Sequence, residues 1–261
     1  MPCPEGGEVV QPRRARQWER RLDRPLGCGY LLDWDGRRRV VFRRIKQRAY
    51  VARAKVHLRQ LAAKQPGGGE RRLFVDCGSN VGQGYTLFKE YLPPERYDAI
   101  LIEPNPNCMK VLKEEFGSYT NLDFIEGAAW TKEGKLKLFG LVEDDRGAMT
   151  QGASVVADHN SGDYEADEEA AIEVDTFSLA ELLNEKVGAY DQIVVKMDIE
   201  SSEYEVLRDL LDTGAAKNIT HIFIEFHSEY FKEPESSHYR ELEKSLVNEL
   251  RAAGVGVTIW V

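Results

Sequence analysis

Short apolar runs and amphipathic stretches alternate along most of the chain after residue 70. Five runs have the length and bulk of buried strands, at residues 73–75, 99–102, 122–125, 192–197 and 221–226. Apolar residues recur at helical spacing at residues 84–91, 106–116, 204–211 and 239–253. Residues 135–141 resemble one arm of a sheet extension, and 255–259 form a last apolar run. Alternating strands and helices predict an α/β fold, namely a doubly wound, Rossmann-like parallel sheet with helices on both faces.

The N-terminal region follows a different pattern. Residues 1–28 are rich in proline, glycine and arginine and lack apolar periodicity, so we predict a disordered arm. Two short apolar runs, 30–34 and 39–42, flank Asp35-Gly36 and predict a β-hairpin. Residues 43–64 predict a basic amphipathic helix. Its apolar positions are Ile45, Ala49, Ala52, Val56 and Leu61.

These patterns divide the chain into three parts. A disordered arm (1–28) precedes the hairpin, the basic helix and a glycine-rich linker (29–69), in which Pro66 and three glycines break the helix. One large domain occupies residues 70–261. Within it, residues 143–170 are polar and long, and loops of that length in a compact domain are usually lids or disordered. We therefore expect a lid-like or disordered loop there.

Charge is distributed unevenly along the chain. Residues 1–72 carry 19 Lys and Arg against 7 Asp and Glu, whereas residues 73–261 carry 16 against 37. The basic arm therefore either binds an anionic partner or lies against its own acidic domain.

Composition points to a cytoplasmic protein. No apolar stretch is long enough to span a membrane, and the first residues lack the apolar segment of a signal peptide. The four cysteines are scattered without a CxxC pair, which argues against a disulfide framework or a structural zinc site.

The strongest motif is FVDCGSNVG at residues 74–82, where a strand ends in Asp76 and glycines open a helix. Glycines there let the backbone approach a ligand closely, and the helix N-terminus offers unpaired N–H groups. Such a turn binds either NAD or S-adenosylmethionine. The spacing Gly78-x-Asn80-x-Gly82 differs from the dinucleotide pattern, and Asp76 would repel a pyrophosphate but attract a cation. The motif therefore favours S-adenosylmethionine.

A second motif, Glu103-Pro104-Asn105, ends the next strand. Glu103 follows Gly82 by 21 residues, the register at which an acid accepts hydrogen bonds from both hydroxyls of an adenosine ribose. The two motifs together predict an adenosine-binding site.

Further polar residues end the later strands. Asp198 and Glu200 follow one buried strand, and Glu225 and His227 follow the next. Glu203 is interpreted as an ordinary first-turn helix acid. The carboxyl ends of these strands predict one shared polar rim. A divalent ion such as Mg²⁺ is conceivable on Asp198 with Asp175 or Glu225, but no metal-spaced pair is present and no metal ligand is assigned.

With these residues the chain resembles the FkbM family of S-adenosylmethionine-dependent methyltransferases. The resemblance runs from about residue 73 to 226, through FVDCGSNVG, ILIEPNP, FIEGAAW, VDTFSLAELL and VVKMDIESSEYEVL. It implies O-methylation of sugars, polyketides or related metabolites, with Asp198 on the methyl-transfer side of the pocket and also in contact with the cofactor. The other cofactor contacts that the motifs and the resemblance imply are Asp76, Gly78, Asn80, Gly82, Glu103, Asn105, Gly127 and Ala128. The chain departs from the family at Ser201-Ser202, where Gly-Ala is typical.

A hydroxyl acceptor must lose a proton during transfer, which calls for a general base. We predict that His227 is this base, that Glu225 holds its imidazole, and that Asp198 positions the acceptor, a small molecule or glycan. One alternative is a nucleic-acid or protein methyltransferase that uses the basic residues 37–64. The motif Asp198-Ile199-Glu200-Ser201 is unlike that of base N-methyltransferases. A second alternative is an inactive binding module, which the intact glycine turn argues against.

Overall fold

The computed structural model describes residues 34–63, 70–141, 149–161 and 166–260. The predicted arm (1–28) and the linker (66–69) lie outside the described residues. The chain divides into two compact units, Met1–Arg44 and Ile45–Val261, and the second contains both sheets and the candidate site.

The described residues form nine strands and six α-helices. The strands are β1 (Arg72–Cys77), β2 (Asp98–Glu103), β3 (Leu122–Glu126), β4 (Ala128–Trp130), β5 (Gly134–Leu138), β6 (Ile172–Ser178), β7 (Gln192–Met197), β8 (His221–Ile224) and β9 (Gly256–Ile259). The helices are α1 (Trp34–Ala63), α2 (Gln83–Phe88), α3 (Pro106–Phe116), α4 (Leu179–Lys186), α5 (Glu203–Asp212) and α6 (Glu235–Ala252). All five predicted strands and four predicted helices of the large domain are confirmed, whereas β4 and β6 were not predicted as strands.

The main sheet has six strands in the order β3-β2-β1-β7-β8-β9, and every neighbouring pair is parallel. The chain leaves β1 toward β2 on one side, and β7 lies on the other. In such open sheets ligands bind beyond the carboxyl ends of the strands, where the order reverses. A smaller sheet, β4-β6-β5, contains the predicted extension. The Rossmann-like fold class is therefore confirmed.

Apolar residues cover both faces of the main sheet. Along β1, Leu73 and Val75 belong to the core beneath α4, α5 and α6, whereas Phe74 faces the core that includes α2 and α3. Because side chains alternate across a strand, this pattern requires helices on both faces.

The predicted hairpin at 30–42 is wrong over its described part. Helix α1 begins at Trp34 and continues through Asp35-Gly36, where the hairpin would turn. A hairpin of such short arms is marginally stable without a third strand or a packed face. The arginine-rich run that follows has good helix propensity.

The basic helix is confirmed, but its buried face differs from the prediction. Ala54, Leu58 and Leu61 are buried in the core that includes Phe74. Of the predicted apolar positions Val56 is 47% exposed, and Ala49 and Ala52 are exposed as well. The observed spacing of three and four residues defines a single helical face. The part of this helix from residue 49 to 63 therefore packs against the acidic domain, as one of the two alternatives for the basic arm anticipates.

The described part of the polar loop, residues 149–161, is folded onto the domain. Phe139 and Ser154 exchange backbone hydrogen bonds of 2.8 and 3.2 Å. His159 and Asn160 are buried. A disordered loop is thus wrong for this segment, whereas a lid-like role stays a prediction. Among the described residues, no helix combines the length and apolarity needed to cross a membrane.

Candidate active site

The glycine turn after β1 passes directly beneath the end of β7. Gly78 has φ +77°, and a Cβ there would lie 1.7 Å from the carbonyl oxygen of Asp198. The backbone nitrogens of Gly78 and Ser79 donate to the carbonyl of Ile102 at 3.1 and 3.0 Å. Neither the left-handed backbone nor the space admits another residue at this position. The turn is thereby pinned between the ends of β2 and β7.

Asp76 forms a buried ion pair with Lys196. The ammonium lies 3.0 Å from Asp76 Oδ1 and 3.5 Å from Asp198 Oδ2, and it donates to the carbonyl of Gly78 at 3.1 Å. Burial raises the pKa of Asp76, and the Lys196 ammonium partly offsets the rise. The cation beside Asp76 is thus a side chain of the protein. Direct contact between Asp76 and a cofactor stays a prediction.

Glu103 is held by two backbone N–H groups. Its Oε2 accepts from Asn80 N at 2.7 Å and its Oε1 from Asn105 N at 2.9 Å, and the residue is 6% exposed. Burial raises the pKa of this carboxyl to about 7, although both hydrogen bonds lower it. A carboxylate accepts about four hydrogen bonds. Both oxygens therefore retain acceptor capacity, which fits the two hydroxyls of a ribose.

The other residues predicted to contact the cofactor surround Glu103. Asn105 caps α3 by accepting from Asn107 N at 3.0 Å. Gly127 N donates to the carbonyl of Glu103 at 3.2 Å, and Ala128 follows it in β4. Asn80 has φ +48°, and its side chain donates to the carbonyl of Thr150 at 2.9 Å. The lid-like segment is therefore joined directly to the glycine turn.

Carboxylates and imidazoles meet at the adjacent part of the same sheet edge. This acid–imidazole cluster comprises Asp198, Glu200, Glu203, Glu225, His227 and His159. His227 Nδ1 lies 3.1 Å from Glu203 Oε1, which also accepts from the backbone N of His227 at 3.0 Å. His227 Nε2 lies 3.3 Å from Glu200 Oε2 and 3.7 Å from Asp198 Oδ1.

Predictions about three residues need correction. The carboxylate that holds His227 is Glu203 and not Glu225, because Glu203 Oε1 contacts both Nδ1 and the backbone N of His227. Glu203 is accordingly no ordinary surface acid of a first helical turn, since it is completely buried. Asp175, considered as a metal partner of Asp198, is an exposed residue of β6 beside Lys135, at 3.7 Å.

The pKa values of several groups in this cluster are strongly shifted. Burial alone lowers the pKa of His227, but the carboxylates of Glu200 and Glu203 outweigh it and raise this pKa well above the ordinary value. Burial raises the pKa of Glu200 to about 8, and burial together with Asp198 does the same for Glu225. Buried carboxylates that crowd one imidazole favour its protonated form.

His159, on the lid-like segment, was not predicted as a site residue. Its Nδ1 lies 2.7 Å from Ser201 Oγ and its Nε2 3.2 Å from Glu200 Oε2. Ser201 has φ +76°, a backbone conformation that the typical family glycine adopts at less cost. Its hydroxyl supplies a contact that glycine lacks. No local motif marks His159, which reaches the site only through the fold.

Comparison with known proteins identifies the family of the chain. A family model described as "Methyltransferase FkbM domain" matches residues 76–251. The chain belongs to the FkbM methyltransferase family. The match includes the glycine turn, Glu103 and the whole acid–imidazole cluster, and it leaves helix α1 outside. The resemblance inferred from the motifs is therefore confirmed.

Solved structures show only distant similarity. An FkbM methyltransferase from Methylobacillus flagellatus KT shares 14% identity, with a TM-score of 0.41 over 71% of this chain and 39% of that one. Yeast methylglyoxal/isovaleraldehyde reductase Gre2, complexed with NADPH, shares 12%, with a TM-score of 0.38 over 72% and 53%. The chain thus spans between about two-fifths and half of these proteins. No protein with a curated description matches it.

Proposed function

We propose that this protein is an S-adenosylmethionine-dependent methyltransferase that methylates a hydroxyl group of a small molecule or glycan. The observation that carries the proposal is Glu103, a buried carboxylate fixed by Asn80 N and Asn105 N at the point where the strand order reverses. Membership of the FkbM family supports methyl transfer. The hydroxyl acceptor rests on the resemblance and on the acidic groups beside the turn.

The cofactor half of the site would bind and orient the methyl donor. Glu103 would accept from the ribose hydroxyls, while Gly78, Asn80 and Gly82 would let the donor approach the turn backbone. Asn105, Gly127 and Ala128 lie beside Glu103 and would line the same pocket. Asp76 would affect the donor site only through Lys196, because its carboxylate pairs with the ammonium of that residue.

The acid–imidazole cluster would receive the acceptor. When bound, the donor supplies a methyl group already activated by its sulfonium, so the protein must align the hydroxyl and remove its proton. The side chain of His227 is 3% exposed and both of its ring nitrogens face carboxylates, whereas that of Asp198 is 26% exposed. These facts support Asp198 as the group that takes the proton and His227 as the positive charge that positions Asp198 and Glu200.

The nucleic-acid alternative stays a prediction, and a methyl-transfer assay can distinguish it from methylation of a small molecule or glycan. The acceptor screen uses donor carrying a deuterated methyl group, with sugars, polyketides, phenols and RNA as acceptors, and reads the mass shift. We expect transfer to a hydroxyl compound by wild type and by Asp175→Asn, and at least about a hundredfold less by Asp198→Asn. Transfer to RNA alone, abolished by raised salt, would support the nucleic-acid alternative. A folded wild type that retains no donor would contradict the proposal.

A further inference from the structure

Three side chains of the acid–imidazole cluster direct one atom each at a common point. Asp198, Glu200 and His227 each contribute an oxygen or nitrogen, and these atoms all lie within 4.8 Å of one another. Nε2 of His227 is 3.3 Å from Glu200 Oε2 and 3.7 Å from Asp198 Oδ1. Two atoms that share an ion at about 2.1 Å stand roughly 3 Å apart when they are neighbouring ligands. The two distances from His227 Nε2 exceed this spacing by about 0.3 and 0.7 Å, and the two carboxylate atoms, at most 4.8 Å apart, would have to close by up to about 1.8 Å for all three side chains to share one ion.

We propose that Asp198, Glu200 and His227 bind one divalent transition-metal ion, of the class of Mn²⁺ or Zn²⁺. An imidazole nitrogen with two carboxylates suits such ions, whereas Mg²⁺ strongly prefers oxygen ligands. The side chains of Asp198 and Glu200 are partly exposed, so the point where the three atoms meet is open to an incoming ion.

Glu203 gives His227 the orientation of a metal ligand. Its Oε1 accepts from Nδ1, which leaves Nε2 directed at Asp198 and Glu200. Imidazoles that bind metals commonly donate their other N–H to a carboxylate in this way. Glu203 is completely buried, and its Oε2 has no hydrogen-bond partner among the described residues. Negative charge at this position is therefore poorly compensated.

The fixed cations of the protein do not balance the site. Lys196 faces Asp76 and Oδ2 of Asp198, so Oδ1 remains directed at His227. The carboxylates of Glu200 and Glu225 interact more strongly with His227 than with Lys196, and Glu203 pairs with His227. A divalent ion would supply the missing positive charge. The opposing explanation is that a protonated His227 itself supplies this charge, and a binding measurement distinguishes the two explanations.

The site would lie beside the proposed acceptor, but the proposal concerns ion binding and does not depend on methyl transfer. A bound ion would occupy the Asp198 oxygen that otherwise accepts the proton of the acceptor hydroxyl. It could take an acceptor oxygen as a further ligand. Binding is therefore measured without the methyl donor, and donor binding is measured separately in the presence of chelator. Absence of ion binding would not contradict donor binding, and absence of donor binding would not contradict ion binding.

The test titrates chelator-treated, full-length protein with Zn²⁺, Mn²⁺ and Mg²⁺ by calorimetry. We expect one Zn²⁺ or Mn²⁺ per chain and weaker binding of Mg²⁺. Glu200→Gln should lower the affinity at least tenfold, and Glu203→Gln should lower it about 10–100-fold because it orients a ligand. Asp175→Asn removes an exposed carboxyl outside the cluster and should leave the affinity unchanged.

A spectroscopic measurement covers the case in which the variants fold poorly. Wild-type protein labelled with ¹⁵N in its imidazoles should show Zn²⁺ shifting Nε2 of one histidine, with Nδ1 remaining protonated. Absence of binding by any of the three ions at millimolar concentration would overturn the proposal. So would equal affinity in Glu200→Gln and wild type, or a Zn²⁺ titration that shifts no imidazole nitrogen.

Discussion

The two halves of the candidate site lie at one sheet edge but are constructed differently. In the cofactor half, backbone groups hold the key side chain, since Glu103 accepts from Asn80 N and Asn105 N. In the acid–imidazole half, side chains hold one another, and His227 depends on carboxylates from α5 and the end of β7. A site held by backbone tolerates exchange of neighbouring side chains. A site held by side chains is sensitive to the loss of any single charge.

The sharpest separation of the two halves is Asp198→Asn. We expect kcat to fall by about 10²–10⁴-fold, the usual contribution of a general base. The affinity for the methyl donor should fall less than in Glu103→Gln, because Glu103 and its partners are untouched and only the contact implied for Asp198 changes. Steady-state kinetics on an acceptor found by the screen, with calorimetry of the donor, measure both quantities. A greater loss of kcat in His227→Asn than in Asp198→Asn would return the base role to His227.

Lys196 contacts both halves, so its removal should damage the whole protein. Lys196→Met leaves the carboxylate of Asp76 buried without its ammonium partner. Breaking a buried ion pair costs about 3–5 kcal/mol in the free energy of unfolding. Urea denaturation measures the loss. The double variant Asp76→Asn/Lys196→Met should recover part of it, and a double variant as unstable as Lys196→Met would show that the pair is not the reason.

Two glycines with similar backbone angles allow the cost of a steric clash to be separated from the cost of backbone strain. Gly78→Ala places a Cβ 1.7 Å from the Asp198 carbonyl, whereas Gly214 has a similar φ of +73° and nothing within 4 Å. We expect Gly214→Ala to lower the free energy of unfolding by about 1 kcal/mol through backbone strain alone. Gly78→Ala should cost at least about 2 kcal/mol more, because the backbone must move. Equal losses by urea denaturation would contradict the close packing of the turn.

Burial of Glu103, in the cofactor half, predicts that the contribution of this residue to the free energy of unfolding depends on pH. Its pKa rises from 4.5 to about 7 in the folded protein. The stabilising effect of its proton is therefore complete below about pH 4.5 and is lost as the pH rises through about 7. Relative to Glu103→Gln, wild type should lose up to about 3 kcal/mol of stability across this range, at 1.36 kcal/mol per pKa unit. A constant difference between pH 4 and 8, by thermal denaturation, would contradict this burial.

The cofactor half could be predicted because its information is local. The interval from Gly82 to Glu103 sets the distance along the chain between the glycine turn and the acid that ends the next strand. Because β1 and β2 are parallel, the turn and the acid lie at the same edge of the sheet. The family resemblance adds the Gly127 turn in the same way. Helix bounds followed from hydrophobic spacing for the same reason, as at α3.

The acid–imidazole half could be predicted only as a set of residues. That Glu203 rather than Glu225 holds His227 depends on side-chain directions that no spacing encodes. His159 enters from a segment without apolar periodicity, more than 40 positions before Ser201 in the chain. The buried face of α1 was mistaken because several faces of that helix carry apolar residues, and only contact with the core selects Leu58 over Val56.

Calorimetric titration of Glu103→Gln with S-adenosylmethionine tests the central claim, which is that this sheet edge binds the methyl donor through Glu103. Above the pKa of Glu103, which burial raises to about 7, wild type should bind one donor per chain, and Glu103→Gln should bind it about 1–3 kcal/mol more weakly, since a neutral amide replaces a charged acceptor. Asp98→Asn, at the opposite end of the same strand, should bind as wild type does. Unchanged affinity in Glu103→Gln, with the protein folded, would contradict the account.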